Sequence, residues 1–175
     1  MSARKVWVAV KTPLTMLLLL AFVVFAAMWG WKAANTPTPP RPPEPCVVQS
    51  IGPRFKPDHA VLRVYNSTQQ NGLAKRVATI LRADGFRVIR IANTQPVTQG
   101  VQIVGVAANS PEVVLVRSYF PGAKFTADPN KADHTVDITV GNGFKSVAPD
   151  PLTSVPVKGG KACIPRIQAG QEAEA

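Results

Sequence analysis

Apolar residues follow two different periods along this chain, and a third segment is apolar throughout. Across 60–92 a short run rich in β-branched and aromatic residues comes first, then apolar residues at every third or fourth position, and then a second short apolar run. Such short runs are typical of strands and a period of 3.6 is typical of helices, so this stretch predicts strand, helix and strand. The uninterrupted segment lies at 14–31 and contains no charged residue.

The apolar segment predicts a single transmembrane helix. As an α-helix it would extend about 27 Å, close to the ~30 Å thickness of the hydrocarbon layer. Trp29 and Trp31 at its end suit the headgroup level, and basic residues cluster before it, so residues 1–13 are predicted to stay in the cytoplasm. A cleaved signal peptide is the alternative, although the segment offers only a poor small-x-small cleavage site.

Two segments flanking the main domain carry no folding pattern. Residues 32–45 include six prolines and predict an extended linker that rises ~3.1 Å per residue. A proline-rich peptide ligand is the alternative for this segment. Residues 168–175 predict a disordered tail. The extracytoplasmic domain is therefore expected over 46–167, with its core over 60–145.

The first half of that core is predicted from one continuous pattern. A strand is expected over 61–65, a polar turn over 66–71, a helix that Gly85 terminates, and a strand over 86–92, joined by a parallel crossover. The helix should bury one stripe, formed by Leu73, Val77, Ile80 and Leu81. It should expose the opposite side, formed by Lys75, Arg76, Thr79 and Arg82.

The second half of the core repeats the alternation of strands with a helix. A strand over 101–106 is expected antiparallel to the strand over 86–92. Ser110, Pro111 and Glu112 form a helix start, with a capping hydroxyl, a proline and an early carboxylate. A short edge strand over 123–127 and an alternating strand over 135–140 follow. The fold class is thus α/β (α+β): a two-layer sandwich with a β-α-β-β-α-β mixed sheet and helices on one face, preceded by the transmembrane helix.

Charge narrows the range of partners. The chain has 20 Lys and Arg against 10 Asp and Glu, and beyond position 33 there are still 16 basic residues against 10 acidic ones. Such an excess favours anionic lipid headgroups or acidic wall polymers, although solubility alone also accounts for it. Nucleic acid is not expected as a partner, because the domain is predicted to lie outside the cytoplasm.

Two cysteines, Cys46 and Cys163, bracket the predicted domain. Outside the cytoplasm disulfides persist, so one intramolecular disulfide is the simplest interpretation. It would contribute up to ~4–5 kcal/mol in the chain-entropy description. Two buried free thiols or an intermolecular bond are the alternatives. No metal site and no cofactor are predicted, because the cysteines lack nearby histidine or carboxylate spacing.

Catalysis finds little support in the sequence. The histidines are His59 and His134, and neither has a nucleophile close by in the chain. Asp133, His134 and Asp137 could form an acid–base or metal cluster, but a solvated loop is the preferred interpretation. No catalytic residue is therefore assigned, and an envelope hydrolase is kept as the alternative function.

Twelve residues of the strand–helix–strand unit carry a family resemblance. They are Val64, Asn66, Ser67, Thr68, Gly72, Leu73, Ala74, Val77, Leu81, Gly85, Phe86 and Val88. This pattern resembles the LytR C-terminal domain family. That domain often follows a LytR-CpsA-Psr phosphotransferase domain, which attaches glycopolymers to peptidoglycan. The resemblance implies a non-enzymatic role in the cell envelope. Implied partners are the cytoplasmic membrane, peptidoglycan or an anionic wall glycopolymer, and another envelope protein with a LytR-CpsA-Psr or LytR C-terminal domain.

Two surfaces are candidate ligand sites. The polar turn holds Asn66, Ser67 and Thr68 at a helix N-terminus, which suits an anion or a sugar hydroxyl; the alternative is that these groups only satisfy the turn. The sheet face away from the helices should expose a second set, formed by Arg63, Tyr65, Arg90 and Gln102. An aromatic ring beside guanidinium and amide groups can bind an acidic sugar. The alternative is an ordinary wet face with Arg63 opposite Asp137.

Overall fold

The computed structural model describes residues 3–35 and 45–166 of the chain. The chain forms two compact units, Met1–Arg41 and Pro42–Ala175. Most of the predicted linker and the whole of the predicted tail lie outside the described residues.

The first unit is one long helix, α1, over Ala3–Ala34. Its stretch Pro13–Ala34 has a mean hydropathy of 2.2 and none of it is buried within the protein. Those 22 residues would span about 33 Å as a helix, which is enough to cross a bilayer. The predicted apolar helix is confirmed. Its orientation in a membrane stays a prediction.

The second unit alternates short strands with two α-helices. Their order is β1 Val47–Ser50, β2 Arg54–Phe55, β3 Val61–Asn66, α2 Leu73–Ala83, β4 Arg87–Asn93, β5 Val101–Gly105, α3 Pro111–Tyr119, β6 Lys124–Ala127, β7 Val136–Val140, β8 Val155–Pro156 and β9 Lys161–Ile164. Short 3-10 turns over Pro57–His59 and Lys158–Gly160 precede β3 and β9. The predicted mixed α/β class is confirmed.

Five strands form the main sheet, in the order β4-β3-β7-β5-β6. The strand β3 is parallel to both β4 and β7, whereas β5 is antiparallel to β7 and parallel to β6. The strand over 101–106 was expected to lie antiparallel to the strand over 86–92. In the structure β5 does run antiparallel to β4, but the two strands are not neighbours, because β3 and β7 lie between them.

One face of this sheet carries both helices. Leu62, Val64, Ile103 and Ile138 point from the strands into the same apolar cluster as the buried residues of α2 and α3. All four are 0% exposed, and burial alternates along β3, β5 and β7. The residues between them lie on the opposite face, which neither α2 nor α3 covers. That uncovered surface is called the outer face below.

The buried stripe of α2 differs from the predicted one at one position. Leu73, Val77 and Leu81 are buried as expected, but Ile80 is 37% exposed. Ala74 and Ala78 take part in the stripe instead. Leu73, Val77 and Leu81 follow one i, i+4 row, and Ala74 and Ala78 extend the stripe on one side of that row. At 100° per residue Ile80 lies on the other side of the row and is therefore partly exposed. The predicted exposed side, with Lys75 and Arg76, is confirmed.

The flanks of the domain are more ordered than the sequence pattern indicated. The strand β1 pairs with β9, and β2 pairs with β8, so both ends of the domain form antiparallel ribbons. Phe55, Ala162 and Ile164 enter the main apolar cluster, which therefore extends beyond the predicted limits of 60–145. The strands of these ribbons were not predicted from the sequence: β2 and β8 contain two residues each, too few to give a readable period, and β1 and β9 contain only four.

A disulfide joins Cys46 to Cys163 and closes the two ends of the domain. Their Cα atoms lie 5.3 Å apart across a sequence separation of 117 residues. This agrees with the predicted pairing. In the chain-entropy description a loop of this length contributes about 4–5 kcal/mol to folding.

Candidate functional site

The register of the sheet collects two rows of side chains on the outer face. The first, called the tyrosine row, is formed from one edge to the other by Ala92, Tyr65, Thr139, Gln102 and Lys124. The second, called the arginine row, is formed by Arg90, Arg63, Asp137, Val104 and Thr126. Paired residues of neighbouring strands point to the same side of a sheet. The structure thus brings together all four residues predicted for this face.

The arginine row is partly occupied by an internal charge cluster. Arg63 donates to Asp133 over 2.8 Å and lies 3.7 Å from Asp137. Lys131 donates to the other oxygen of Asp137 over 2.7 Å. Two cations therefore balance two carboxylates. Arg63 lies opposite Asp137, as expected in the alternative in which this face is an ordinary wet face. The guanidinium of Arg63 therefore stabilises the domain through these ion pairs and is not available to a ligand.

Lys131 and Asp133 reach this cluster from the loop before β7, and both are buried. Asp133 also accepts hydrogen bonds from the Thr135 amide and hydroxyl. One carboxylate thus fixes Arg63 on β3 and the start of β7 at the same time. Breaking such a buried pair usually costs several kcal/mol, because it leaves the remaining charge without compensation.

The remaining polar groups of the outer face are available. Arg90 and Lys124 are exposed, and within residues 45–166 neither side chain forms an ion pair with a carboxylate. Gln102 is half-buried, and its amide forms no side-chain hydrogen bond with that part of the chain. These groups lie at the two edges of the sheet and beside its centre. They leave a net positive surface around the balanced cluster.

Tyr65 lies on β3, beside the edge strand β4, with Arg90 on one side and Lys124 toward the opposite edge of the sheet. Its ring is half-buried, and burial raises the pKa of its hydroxyl, as does the Asp137 carboxylate. The hydroxyl therefore keeps its proton at neutral pH and can donate a hydrogen bond. An aromatic ring with a polar tip offers an apolar surface and a donor at one place.

The Asn66–Gly72 turn is organised differently. Asn66 accepts hydrogen bonds from the Thr68 amide and hydroxyl, and donates to the Gln70 carbonyl and the Asn93 side chain. Thr68 in turn accepts from the Gln70 amide. Every polar atom of the Asn66 side chain is thus used within the turn and its neighbour β4. The structure brings these predicted residues together as a closed network.

Ser67 extends that network to the loop before β5. Its hydroxyl shares a hydrogen bond with the Thr98 hydroxyl, over 2.6 Å, and donates to the Val140 carbonyl. Gly141 lies against the same loop, where an added Cβ would collide with the Thr98 carbonyl. Ser67 is 1% exposed. A residue so placed holds the ends of β3, β5 and β7 together.

A second charged pair lies outside the sheet, between α3 and the loop before β7. His134 Nδ1 lies 2.9 Å from Glu112 Oε1, and the Glu112 side chain is only 4% exposed. The hydrogen bond to Glu112 raises the pKa of His134, although burial acts in the opposite direction. His134 also has a left-handed backbone, with φ of 54°. The imidazole is therefore held in one orientation by a buried carboxylate.

Asp133 and His134 do not form the acid–base pair considered from the sequence. The Asp133 oxygens accept from Arg63 and Thr135, whereas the His134 ring bonds to Glu112. His59 lies near Asp58 and accepts a hydrogen bond from the Lys56 amide. Among the described residues, neither histidine bonds to a serine, threonine or cysteine nucleophile.

The fold nevertheless places His134 beside the disulfide. One ring nitrogen of His134 and the sulfurs of Cys46 and Cys163 lie within 4.8 Å of one another. No pattern in the sequence predicts this contact, because His134 is 88 residues from Cys46 and 29 from Cys163. The two sulfurs are bonded to each other, so neither cysteine is available as a thiolate ligand while the disulfide is intact.

Sequence reasoning missed Glu112 and Lys131 as members of these clusters. Glu112 was expected only as a favourable charge in the first turn of α3. Its spacing to Leu115, Val116 and Tyr119, all buried, places it on the inner side of the helix. That spacing is the signal that could have identified it. Lys131 lies in a loop, where the pattern predicts only exposure.

A shallow groove of about 440 Å³ also lies at the end of α3, away from these clusters. It is lined by Val114, Arg117, Ser118, Phe120, Pro121, Gly122 and Ala123. None of these residues belongs to the sets predicted from the sequence. Arg117 lies over the Phe125 ring, 5.7 Å from its centre, so the basic group is already engaged.

Part of the chain is similar to a known protein family. Residues 60–144 match the family described as LytR cell envelope-related transcriptional attenuator. The matched stretch contains the whole five-stranded sheet with α2 and α3, and it supports the resemblance carried by β3 and α2. Neither the curated proteins nor the solved structures contain a match to the chain.

Proposed function

We propose that the protein is a membrane-anchored binding module that contributes to the integrity of the cell envelope. In this proposal α1 lies in the cytoplasmic membrane with its N-terminus in the cytoplasm, and the domain lies outside. The domain binds an anionic wall glycopolymer, or peptidoglycan that carries one, through the outer face. A wall-assembly protein with a LytR-CpsA-Psr or LytR C-terminal domain is the alternative ligand.

The family match and the apolar helix fit a membrane-anchored cell envelope protein. The matched family is a non-catalytic domain family, consistent with a module that binds and does not react. The order of anchor, proline-rich linker and domain closed by a disulfide further resembles the actinobacterial cell envelope integrity protein Cei. This resemblance supports the envelope role and names no ligand.

The observation that carries the choice of ligand is the composition of the outer face. Tyr65 lies between Arg90 at one edge of the sheet and Gln102 and Lys124 toward the other. A sugar ring can pack on the tyrosine while its carboxylate or phosphate meets a guanidinium or ammonium group. Hydroxyls of the same sugar can bond to the Gln102 amide.

The polar turn is a weaker candidate for the same ligand. A ligand there would have to replace hydrogen bonds that Asn66, Ser67 and Thr68 already make within the fold. Exchanging one satisfied hydrogen bond for another contributes little net free energy. On the outer face a ligand would displace only water from the cations.

Binding can be tested with the full-length protein in nanodiscs. It is mixed with purified peptidoglycan sacculi that retain their anionic glycopolymer, and with sacculi from which that polymer was removed chemically. We expect the protein to sediment with the first and to be released as salt rises, since the attraction is between opposite charges. Equal retention on both kinds of sacculi would mean that the ligand is the glycan of peptidoglycan and not the anionic glycopolymer.

Absence of retention on both kinds of sacculi would contradict the wall-polymer proposal. Crosslinking in cells would then decide whether the outer face contacts a wall-assembly protein, with a photoreactive residue in place of Thr139 at its centre. The orientation is tested separately by reporter fusions at each end of the chain. A C-terminal reporter that is active only in the cytoplasm would contradict the whole proposal.

A further inference from the structure

The disulfide lies in an environment that favours a thiolate. The sulfurs of Cys46 and Cys163 and one ring nitrogen of His134 lie within 4.8 Å of one another. Both cysteines and His134 are half-buried, so part of each residue is in contact with solvent. A cationic group near a cysteine stabilises the thiolate form of its sulfur. A disulfide whose only role is to close a loop does not need such a neighbour.

The buried carboxylate of Glu112 favours the cationic form of that neighbour. Its oxygen lies 2.9 Å from His134 Nδ1, and the Glu112 side chain is almost entirely buried. The groups that face His134 are Glu112 on α3, the adjacent Asp133, and the two cysteines. Asp133 is balanced by Arg63, so Glu112 is the carboxylate that the imidazolium neutralises. The same contact raises the pKa of His134 above its ordinary value.

The backbone holds both cysteines in place independently of the sulfur–sulfur bond. The Cys46 amide donates to the Ala132 carbonyl over 2.9 Å, two residues before His134. Cys163 lies within β9 and is paired with Val48 of β1. Reduced cysteines would therefore start from positions next to the imidazole, and the bond could form again without a search.

We infer that the Cys46–Cys163 disulfide is a site of thiol–disulfide exchange with an extracytoplasmic dithiol oxidoreductase, and that His134 assists by stabilising the sulfur that leaves. This inference does not depend on the proposed ligand, but it rests on the proposed location of the domain outside the cytoplasm. Glu112 acts as a positioning residue, since it holds the imidazole and its charge. Cys46 and Cys163 are the reacting groups.

The exchange proceeds in two balanced steps. A thiolate of the partner attacks one sulfur, a bond forms between the two proteins, and the other sulfur leaves with the electron pair as a thiolate beside the His134 imidazolium. The partner's second thiol loses its proton and attacks the mixed disulfide. The partner departs as a disulfide, oxidised by two electrons, and Cys46 and Cys163 are left reduced. The two protons from the partner's thiols are taken up by solvent or by the new thiolates.

The test measures how fast dithiothreitol reduces the disulfide in the full-length protein in detergent micelles. Free thiols are trapped with iodoacetamide and counted by mass spectrometry between pH 5.5 and pH 8.5, with each rate divided by the concentration of reagent thiolate. The variant His134→Asn removes the cation, and asparagine tolerates the left-handed backbone at this position. The variant Glu112→Gln keeps the shape and removes the charge. His59→Asn is the matched control.

In the wild type the corrected rate should be high at low pH and fall as His134 loses its proton. In H134N it should be lower at low pH, by roughly fivefold to tenfold, and independent of pH, because a leaving sulfur of higher pKa leaves more slowly. In E112Q the fall should occur at lower pH than in the wild type. H59N should follow the wild type throughout.

Equal or higher corrected rates in H134N than in the wild type would overturn the inference. An E112Q profile identical to that of the wild type would overturn the role of Glu112. If the wild-type disulfide is reduced only as fast as the domain unfolds, as judged by circular dichroism under the same conditions, the bond is structural and the inference is wrong.

Discussion

The polar turn after β3 and the outer face of the sheet are both rich in polar side chains, but they use them in opposite ways. In the turn, Asn66 alone takes part in four hydrogen bonds to its own neighbourhood. On the outer face, Arg90 and Lys124 form no ion pair within residues 45–166. The polar groups of the turn are hydrogen-bonded within the fold, whereas the cations of the outer face remain available to a ligand.

The arginine row contains one arginine that is paired within the fold and one that is available to a ligand. Arg63 and Arg90 are neighbours across β3 and β4, yet only Arg63 meets carboxylates. The difference arises from the loop before β7, which brings Asp133 over one end of the outer face. A residue's type therefore does not tell whether it stabilises the domain or serves a ligand. The partners that the fold gives it decide.

The largest effect on stability is expected at the charge cluster. Asp133→Ala leaves Arg63 with only the longer contact to Asp137 and removes the hydrogen bonds to Thr135. We expect a loss of about 2–3 kcal/mol, below the range for fully buried pairs because Arg63 is 26% exposed. Urea unfolding monitored by circular dichroism measures it. A loss under 0.5 kcal/mol would mean that the cluster is not part of the fold's stability.

The next largest effect is expected in the turn. Asn66→Ala removes the group that bonds to Thr68, Gln70 and Asn93, and leaves their polar atoms without those partners. A loss of about 2 kcal/mol is expected from those hydrogen bonds. The folded protein should still bind wall polymer as the wild type does. If N66A abolishes binding with little loss of stability, the roles assigned to the two surfaces are reversed.

A smaller effect is expected from the pH dependence of stability. The pKa of His134 is raised in the folded domain, so the folded state holds its proton more tightly than the unfolded state. The stabilisation is complete below the unfolded pKa of about 6.5 and is lost as pH rises through the folded value. His134→Asn should flatten this fall in urea unfolding curves. An unchanged slope between pH 6 and pH 8 would show that the Glu112 contact does not favour the charged imidazole.

Much of the outer face could be predicted from alternation alone. The pattern of β3 places Arg63 and Tyr65 on one side, and that of β7 places Asp137 there as well. Arg90 was harder to place, because a bulge between Leu62 and Arg63 shifts the register with β4. That bulge explains why the strand over 86–92 does not alternate cleanly.

The contacts between distant segments could not be predicted in the same way. His134, Glu112 and the disulfide meet through the loop before β7, the first turn of α3 and both ends of the domain. No period connects these segments, and a polar loop sequence does not reveal what it covers. The strands of the flanks were missed for a related reason, since β2 and β8 contain two residues each.

The smallest effect on stability, and the largest on binding, is expected from charge reversal on the outer face. Arg90→Glu and Arg76→Glu change the net charge equally at exposed positions, but only Arg90 lies on the outer face, whereas Arg76 lies on the exposed side of α2. Both variants should unfold within about 0.5 kcal/mol of the wild type, as is usual for surface positions.

Binding of these two variants to sacculi that carry anionic glycopolymer, measured with full-length protein in nanodiscs, tests the central claim most directly. We expect R90E to bind at least tenfold more weakly than the wild type, and R76E to bind within about twofold of it, because a contact to a charged group is worth about 1.5–3 kcal/mol. Equal weakening of both variants would mean that only the overall charge attracts the polymer. Undiminished binding by R90E would contradict the assignment of the outer face as the ligand site.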